Sequence, residues 1–179
     1  MDEARKQLLL QNLAAAGFFA VLAVLVAGVA ILAESGSIRR EREALAALAG
    51  RKAQALPMRF TDPDFSRLYL LEGKGSPRYG TVARLDGDGG SVLAALVFTG
   101  KGDLEAARIV GEGASGLPFA KDGWFSEFLG KGASRGFPRA LADLRRGDVA
   151  SGATRSLDDC AETLGRVSGA VLSAAERKE

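Results

Sequence analysis

The segment DVASGATRS, residues 148–156, places hydroxyl groups and small residues immediately before a predicted helix. Apolar residues at helical spacing predict that helix over residues 157–175. The first backbone N–H groups of a helix are unpaired and its dipole is positive there, so such a site binds phosphate groups. Gly152 and Ala153 leave the backbone accessible, and Thr154 offers a hydroxyl to which a phosphate can be esterified. The segment is therefore a candidate phosphate-binding or attachment site, and an ordinary turn with a helix cap is the alternative.

Neighbouring residues complete this candidate site. Ser151 opens the run Ser-Gly-Ala-Thr, and Arg155 carries a positive charge that strengthens a contact with phosphate. An arginine surrounded by solvent is the alternative for Arg155. Ser156 is the predicted N-cap, followed by Asp158 and Asp159 in the first helical turn, where the dipole favours negative charge.

The amino-acid composition excludes several common kinds of catalytic and metal site. The chain of 179 residues contains no histidine, which removes the usual general base and the commonest metal ligand. Its single cysteine, Cys160, forms no internal disulfide, and no C-x-x-C motif provides for haem or an iron–sulfur cluster. A hydrolase with Ser151 or Thr154 as nucleophile would need a lysine base, and no S-x-x-K motif is present. Chemistry in this protein therefore depends on a bound group.

An uncharged stretch over residues 13–33 predicts a transmembrane helix. A helix of that length is about 30 Å long, which is enough to cross the bilayer core. A signal peptide is the alternative, but its apolar region is shorter, about 7–15 residues. We therefore expect residues 1–12 to be an N-terminal tail and residues 13–33 to anchor the chain in the lipid bilayer.

The charges around this span do not fix its orientation. Arg5 and Lys6 precede it, whereas Arg39, Arg40 and Arg42 follow it. Counting basic residues favours a cytoplasmic C-terminal side, but that rule weakens when a long domain follows the span. The net charge of +2, with basic and acidic residues interspersed, gives no indication of a nucleic-acid partner.

Residues 34–57 are predicted to form a helical stalk, with a helix over residues 37–56. Ser37 is its expected N-cap, and the helix is expected to stop before Pro57. Two roles remain open for the stalk: its leucines Leu45 and Leu48 line a partner helix, or it is a charged spacer between the lipid and the domain.

Residues 58–179 are predicted to form a small α+β domain. Short apolar runs separated by glycine-rich turns indicate an antiparallel meander of strands at residues 68–71, 79–85, 91–98 and 104–110. A short helix is predicted over residues 122–131, in which Trp124, Phe125 and Phe128 have helical spacing and are expected to pack in the core. The helix 157–175 follows, so helices flank the sheet.

The candidate site matches a known motif. Its residues fit the pattern D-x-x-[ST]-G-A-T-x-[ST] in order, at Asp148, Ser151, Gly152, Ala153, Thr154 and Ser156. This is the flavinylation motif of the FMN-binding domain family, which the chain resembles. The family includes the G-type component of Rnf-type ion-translocating ferredoxin:NAD oxidoreductases and the C-type component of sodium-translocating NADH:quinone oxidoreductases. The length of this chain favours the Rnf-type component.

The resemblance implies a cofactor, partners and a location. FMN would be linked by a phosphoester to Thr154 by a dedicated flavin transferase, and the protein would pass electrons within a membrane complex. Its partners would be the other membrane subunits, including those with flavin and iron–sulfur centres. The family architecture is a single span in the inner (cell) membrane, followed by a small α+β domain on the periplasmic or extracytoplasmic side.

The resemblance extends beyond the motif. TGKGDLEAARIV, residues 99–110, is similar to a family strand pair, and the loop GEGASGLPF retains Gly116 and Leu117. The aromatic helix after this loop ends in Phe-Leu-Gly-Lys, as in the family. The resemblance thus implies that the loop from Gly111 to Leu117 lines the flavin. It makes Lys131 a candidate phosphate or ring partner, with an exposed lysine as the alternative.

One difference from the family motivates an alternative function. Gly113 and Ala114 stand where the family loop carries a glutamate and a threonine. A subunit that has lost its flavin and serves only in assembly of the complex is the corresponding hypothesis. The intact motif around Thr154 argues against it.

Overall fold

The computed structural model describes residues 3–50, 53–59, 65, 67–72, 76–87, 90–110, 124–132 and 153–177. Within these residues the chain forms a long N-terminal helix, an antiparallel five-stranded sheet and a C-terminal helix, which confirms the α+β class. In chain order the elements are α1 (Glu3–Ala49), β1 (Ala53–Arg59), β2 (Arg67–Leu71), β3 (Arg78–Gly87), β4 (Gly90–Thr99), β5 (Leu104–Ile109), a 3-10 helix (Trp124–Phe128) and α2 (Ala153–Glu176).

The sheet is the predicted meander with one additional strand. Its order is β1-β2-β3-β4-β5, and each strand is antiparallel to the next. The hairpin of β3 and β4 is the longest pair, running from Arg78 opposite Thr99 to Gly87 opposite Gly90. Strands β2 to β5 lie close to the predicted positions, because short apolar runs and glycine-rich turns are both local signals.

The predicted helix over residues 37–56 is wrong at both ends. Helix α1 runs without a break from Glu3 to Ala49, so Ser37 lies inside it and is not an N-cap. The helix ends where Gly50 adopts a φ of 63°, a conformation that favours glycine and closes many helices. Residues 53–59, assigned mainly to the stalk, form β1 instead. Pro57 is tolerated there because β1 is the outermost described strand and its pairing with β2 is irregular between Ala55 and Arg59.

The chain divides into two compact units, Met1–Arg40 and Glu41–Glu179. The first consists of the apolar part of α1. In the described part of the chain, one helix is long and apolar enough to cross a membrane: Ala15–Ala49, with a mean hydropathy of 2.7 in its most apolar window. Large apolar side chains such as Val24 and Leu32 are 71% and 74% exposed. Such exposure on a helix of this length fits contact with lipid.

In the second unit the sheet is covered on both faces. On one face α2 packs against β3, and alternate residues of β4 (Ala94, Leu96 and Phe98) join a core with Phe128 and Leu164. Cys160, Leu164, Val167 and Val171 are buried, as the apolar stripe of the last helix predicted. Leu172, which was assigned to the same stripe, is 36% exposed because it lies on the flank of the helix.

The opposite face of the sheet is covered by the last turns of α1. Leu45 is fully buried against Tyr69, Leu71, Ala95 and Val97, and Ala44, Leu48 and Ala49 pack around this cluster. The end of the predicted stalk is therefore part of the domain core. This differs from both roles considered for it, the partner-helix surface and the charged spacer.

A polar cluster accompanies this packing. The Tyr69 hydroxyl donates a hydrogen bond of 2.6 Å to Oε2 of Glu41, and Arg67 donates to Oε1 at 3.1 Å. Arg42 donates from Nε to the carbonyl oxygen of Ala53 at 2.9 Å. These charge-assisted bonds join the start of the second unit to β2 and to the first residue of β1.

Replacing Gly80 with alanine is expected to lower the free energy of unfolding by about 1–3 kcal/mol, because it overpacks the core. A Cβ at Gly80 would lie 2.9 Å from Cδ2 of Leu45 and 3.3 Å from Cδ1 of Leu71. Gly165→Ala is the matched control, since nothing lies within 4 Å of the added Cβ on helix α2. That control is expected to gain about 0.5–1 kcal/mol. Urea titration of the full chain in detergent measures both, and equal stabilities of the two variants would contradict the packing of Leu45 on β3.

The stability of the domain is expected to fall as the pH rises above about 10. Burial raises the pKa of the Tyr69 phenol, and the hydrogen bond to Glu41 and its negative charge raise it further. Above the ordinary tyrosine pKa the unfolded chain loses this proton while the folded chain keeps it, so stability is lost with increasing pH. Unfolding measured between pH values of about 9 and 11.5 should show a shallower loss for Tyr69→Phe than for the parent chain. If stability fell equally steeply with pH in the two proteins, Tyr69 would ionise equally in the folded and the unfolded chain.

Candidate functional site

Helix α2 begins earlier than the sequence suggested, and this changes the setting of Thr154. The helix starts at Ala153, so Thr154 is its second residue and no longer lies in a loop before it. Ser156 therefore lies inside the first turn and is not the N-cap, and Asp158 and Asp159 fall in the second turn. The earlier start has a local cause: residues 153–157 contain neither glycine nor proline, and Ala153 is the strongest helix former.

The motif residues at the start of α2 lie at different angles around the helix axis. At about 100° per residue, position 154 shares a row with Ala161, Gly165 and Leu172. This row lies roughly 110° from the centre of the buried row formed by Cys160, Leu164, Val167 and Val171. Residues of the row of position 154 are exposed or half-buried. The described members of this row therefore lie beside the buried row, and Ala161 among them packs against the core.

The other helical motif positions have different surroundings. Position 156 shares the buried row with Cys160, Thr163 and Val167, whereas position 155 shares an exposed row with Asp159 and Glu162. Both interpretations of Arg155, a contact with phosphate and an arginine surrounded by solvent, stay predictions. For Ala153, Thr154, Arg155 and Ser156 the structure describes the helical backbone; Ser151, Gly152 and the loop with Gly116 and Leu117 lie outside the described residues.

Helix α2 is anchored at its far end by a polar contact that sequence reasoning missed. The Ser168 hydroxyl, which is 1% exposed, donates a hydrogen bond of 2.7 Å to the carbonyl oxygen of Gly102. Gly102 lies in the β4–β5 turn with a φ of 77°, and a Cβ there would lie 2.7 Å from the Ser168 oxygen. The glycine-rich turn was recognisable in the sequence, but its partner on α2 is far away along the chain and left no local signal.

Lys131 lies near this anchor, at a distance from Thr154. Its carbonyl oxygen accepts a hydrogen bond of 2.9 Å from Leu104, and Gly130 donates to the Leu104 carbonyl oxygen at 2.7 Å. The next residue, Gly132, adjoins Gly102, which pairs with Ser168. From Thr154 to Ser168 the helix rises about 21 Å. This arrangement does not bring Lys131 to a phosphate on Thr154. A contact with the flavin ring, and the alternative of an exposed lysine, stay predictions.

The aromatic residues of the 3-10 helix belong to the core. Phe125 and Phe128 are 9% and 0% exposed and lie in the cluster that contains Cys160 and Leu164. This confirms core packing for both, and the side chain of Trp124 lies outside the described residues. Phe128 packs beneath the sheet face that α2 covers, so these rings help to hold α2 in place.

The described titratable groups offer no nucleophile or metal centre. Burial raises the pKa of the Cys160 thiol, which therefore stays protonated and unreactive at neutral pH. Among the residues that the structure describes, no group of three acidic, cysteine or histidine side chains is arranged to hold a metal ion. What the described part of this site provides is a helix N-terminus with Thr154 in its first turn.

Comparison with models of known protein families gives no matching family, and comparison with curated proteins gives no similar sequence. The features of the chain that bear on its function are the motif at residues 148–156 and the helix that begins at Ala153.

Replacing Ser168 with alanine is expected to lower the free energy of unfolding by about 0.5–1.5 kcal/mol, because the Gly102 carbonyl loses its donor. Ser173→Ala, an exposed serine on the same helix, is the matched control and is expected to change stability by less than about 0.5 kcal/mol. Thermal unfolding of the full chain in detergent measures both. Equal melting temperatures of the two variants would show that the Ser168 contact does not hold α2 to the β4–β5 turn.

Proposed function

We propose that this protein is a membrane-anchored electron-transfer subunit that carries FMN linked by a phosphoester to Thr154. The observation that carries the proposal is the position of Thr154 within its motif. The residue that the flavinylation motif uses for attachment is the second residue of α2 and so belongs to the first turn of that helix.

The N-terminus of α2 suits a phosphodiester. The first four N–H groups of a helix have no partner inside the helix, and the helix dipole adds positive potential at the same end. A phosphate attached at Thr154 would lie beside these donors, and its negative charge would be stabilised there. The helix has 24 residues, and from Cys160 onward its apolar residues pack on the sheet, which supports the turn that carries Thr154.

The lack of histidine and of an exposed cysteine supports electron transfer by a bound cofactor. The sequence has no histidine, and its only cysteine is buried. When bound, FMN supplies one- and two-electron transfer, for which the protein needs to provide position and electrostatic environment. Neither requirement calls for a general base from the chain itself.

The proposed partners follow from the resemblance, and the apolar helix supports a location in the membrane. The apolar part of α1 would cross the lipid bilayer once, and the domain from Glu41 onward would lie on the extracytoplasmic side of the cell membrane. Electrons would pass between this FMN and the flavin and iron–sulfur subunits of an Rnf-type ion-translocating ferredoxin:NAD oxidoreductase. A flavin transferase would be needed for maturation. The C-type component of a sodium-translocating quinone reductase is the related alternative.

A second function is favoured by the loop sequence. Gly113 and Ala114 replace residues that the family uses in the loop expected to line the flavin. A subunit with this loop that had lost its flavin would act in assembly of the membrane complex. The two functions differ in one measurable property, which is flavin bound covalently to the chain.

Thr154→Val is expected to abolish covalent flavin in a chain produced together with a flavin transferase. Valine keeps the branched shape of threonine but lacks the hydroxyl that forms the phosphoester. Thr163→Val, the same substitution on the same helix, is the control and is expected to keep the flavin. Intact mass, peptide mass of the segment 151–155 and fluorescence of the denatured gel band report attachment, while circular dichroism reports folding.

Each outcome of this experiment separates the hypotheses. Covalent flavin on the parent and on Thr163→Val, but not on a folded Thr154→Val, supports the proposal. Flavin retained by Thr154→Val would place the attachment elsewhere and overturn the site. A parent chain without flavin, made beside a transferase that modifies another substrate, would favour the assembly subunit.

The proposed location predicts a second result. A phosphatase that folds only outside the cytoplasm, fused after Glu179, is expected to be active, whereas a fluorescent protein that folds only inside is expected to be dark. The reverse result would place the domain in the cytoplasm, as the basic residues after the span suggest. It would contradict the extracytoplasmic location even if flavin attachment were confirmed.

A further inference from the structure

We draw no further inference here: the strongest candidate, the open end of the sheet face where the exposed side chains of Leu93 and Val110 lie on adjacent backbone segments joined by a hydrogen bond, carries nothing because nothing in the structure shows what covers it.

Discussion

Burial of the sheet on both faces is the constraint on which the rest of this domain depends. Successive residues of β4 alternate between two clusters, with Leu96 and Phe98 in one and Ala95 and Val97 in the other. Each fully buried large apolar side chain stabilises the fold by about 1.5–3 kcal/mol relative to exposure. Neither face can be left open to water at that cost, so the chain supplies a helix for each.

The two covering helices meet this constraint in different ways. Helix α2 presents a continuous apolar row over most of its length and is tied to the β4–β5 turn through Ser168. The end of α1 contributes only a short apolar patch centred on Leu45, and a polar cluster of Glu41, Arg67 and Tyr69 lies beside it. Close approach there requires Gly80, because a side chain on that strand position would collide with Leu45.

Packing of α2 on the sheet fixes the rotation of this helix, and with it the orientation of the candidate site at its N-terminus. Once Cys160, Leu164 and Val167 face the sheet, the rotation of the helix is fixed, and so is the row on which every other residue lies. Residues 153–156 form the first turn of this helix, so the packing of Cys160, Leu164 and Val167 also sets the direction of their backbone around the helix axis.

The features that were predicted correctly are those that depend on residues close together in the sequence. The strands β2 to β5 and the apolar stripe of α2 follow from residue periodicity and glycine turns, and they were predicted close to their observed positions. Ser37 and Ser156 were both wrongly predicted to be N-caps. Serine favours an N-cap, but it is also accepted inside a helix that tertiary packing extends. Pro57 was wrongly predicted to mark the end of the stalk helix, because proline ends a helix but also fits the outermost strand of a sheet.

What the sequence did not indicate is long-range. Ser168 and Gly102, and likewise Glu41 and Tyr69, are far apart along the chain and are joined only because the sheet is covered on both faces. The same reasoning explains why the motif was found while its setting was not. Six residues in order are a local pattern, but whether Thr154 faces solvent or core is decided by residues such as Leu164 and Phe98, which the pattern does not contain. Residue spacing therefore located the motif, whereas its helical setting depends on packing that the spacing does not contain.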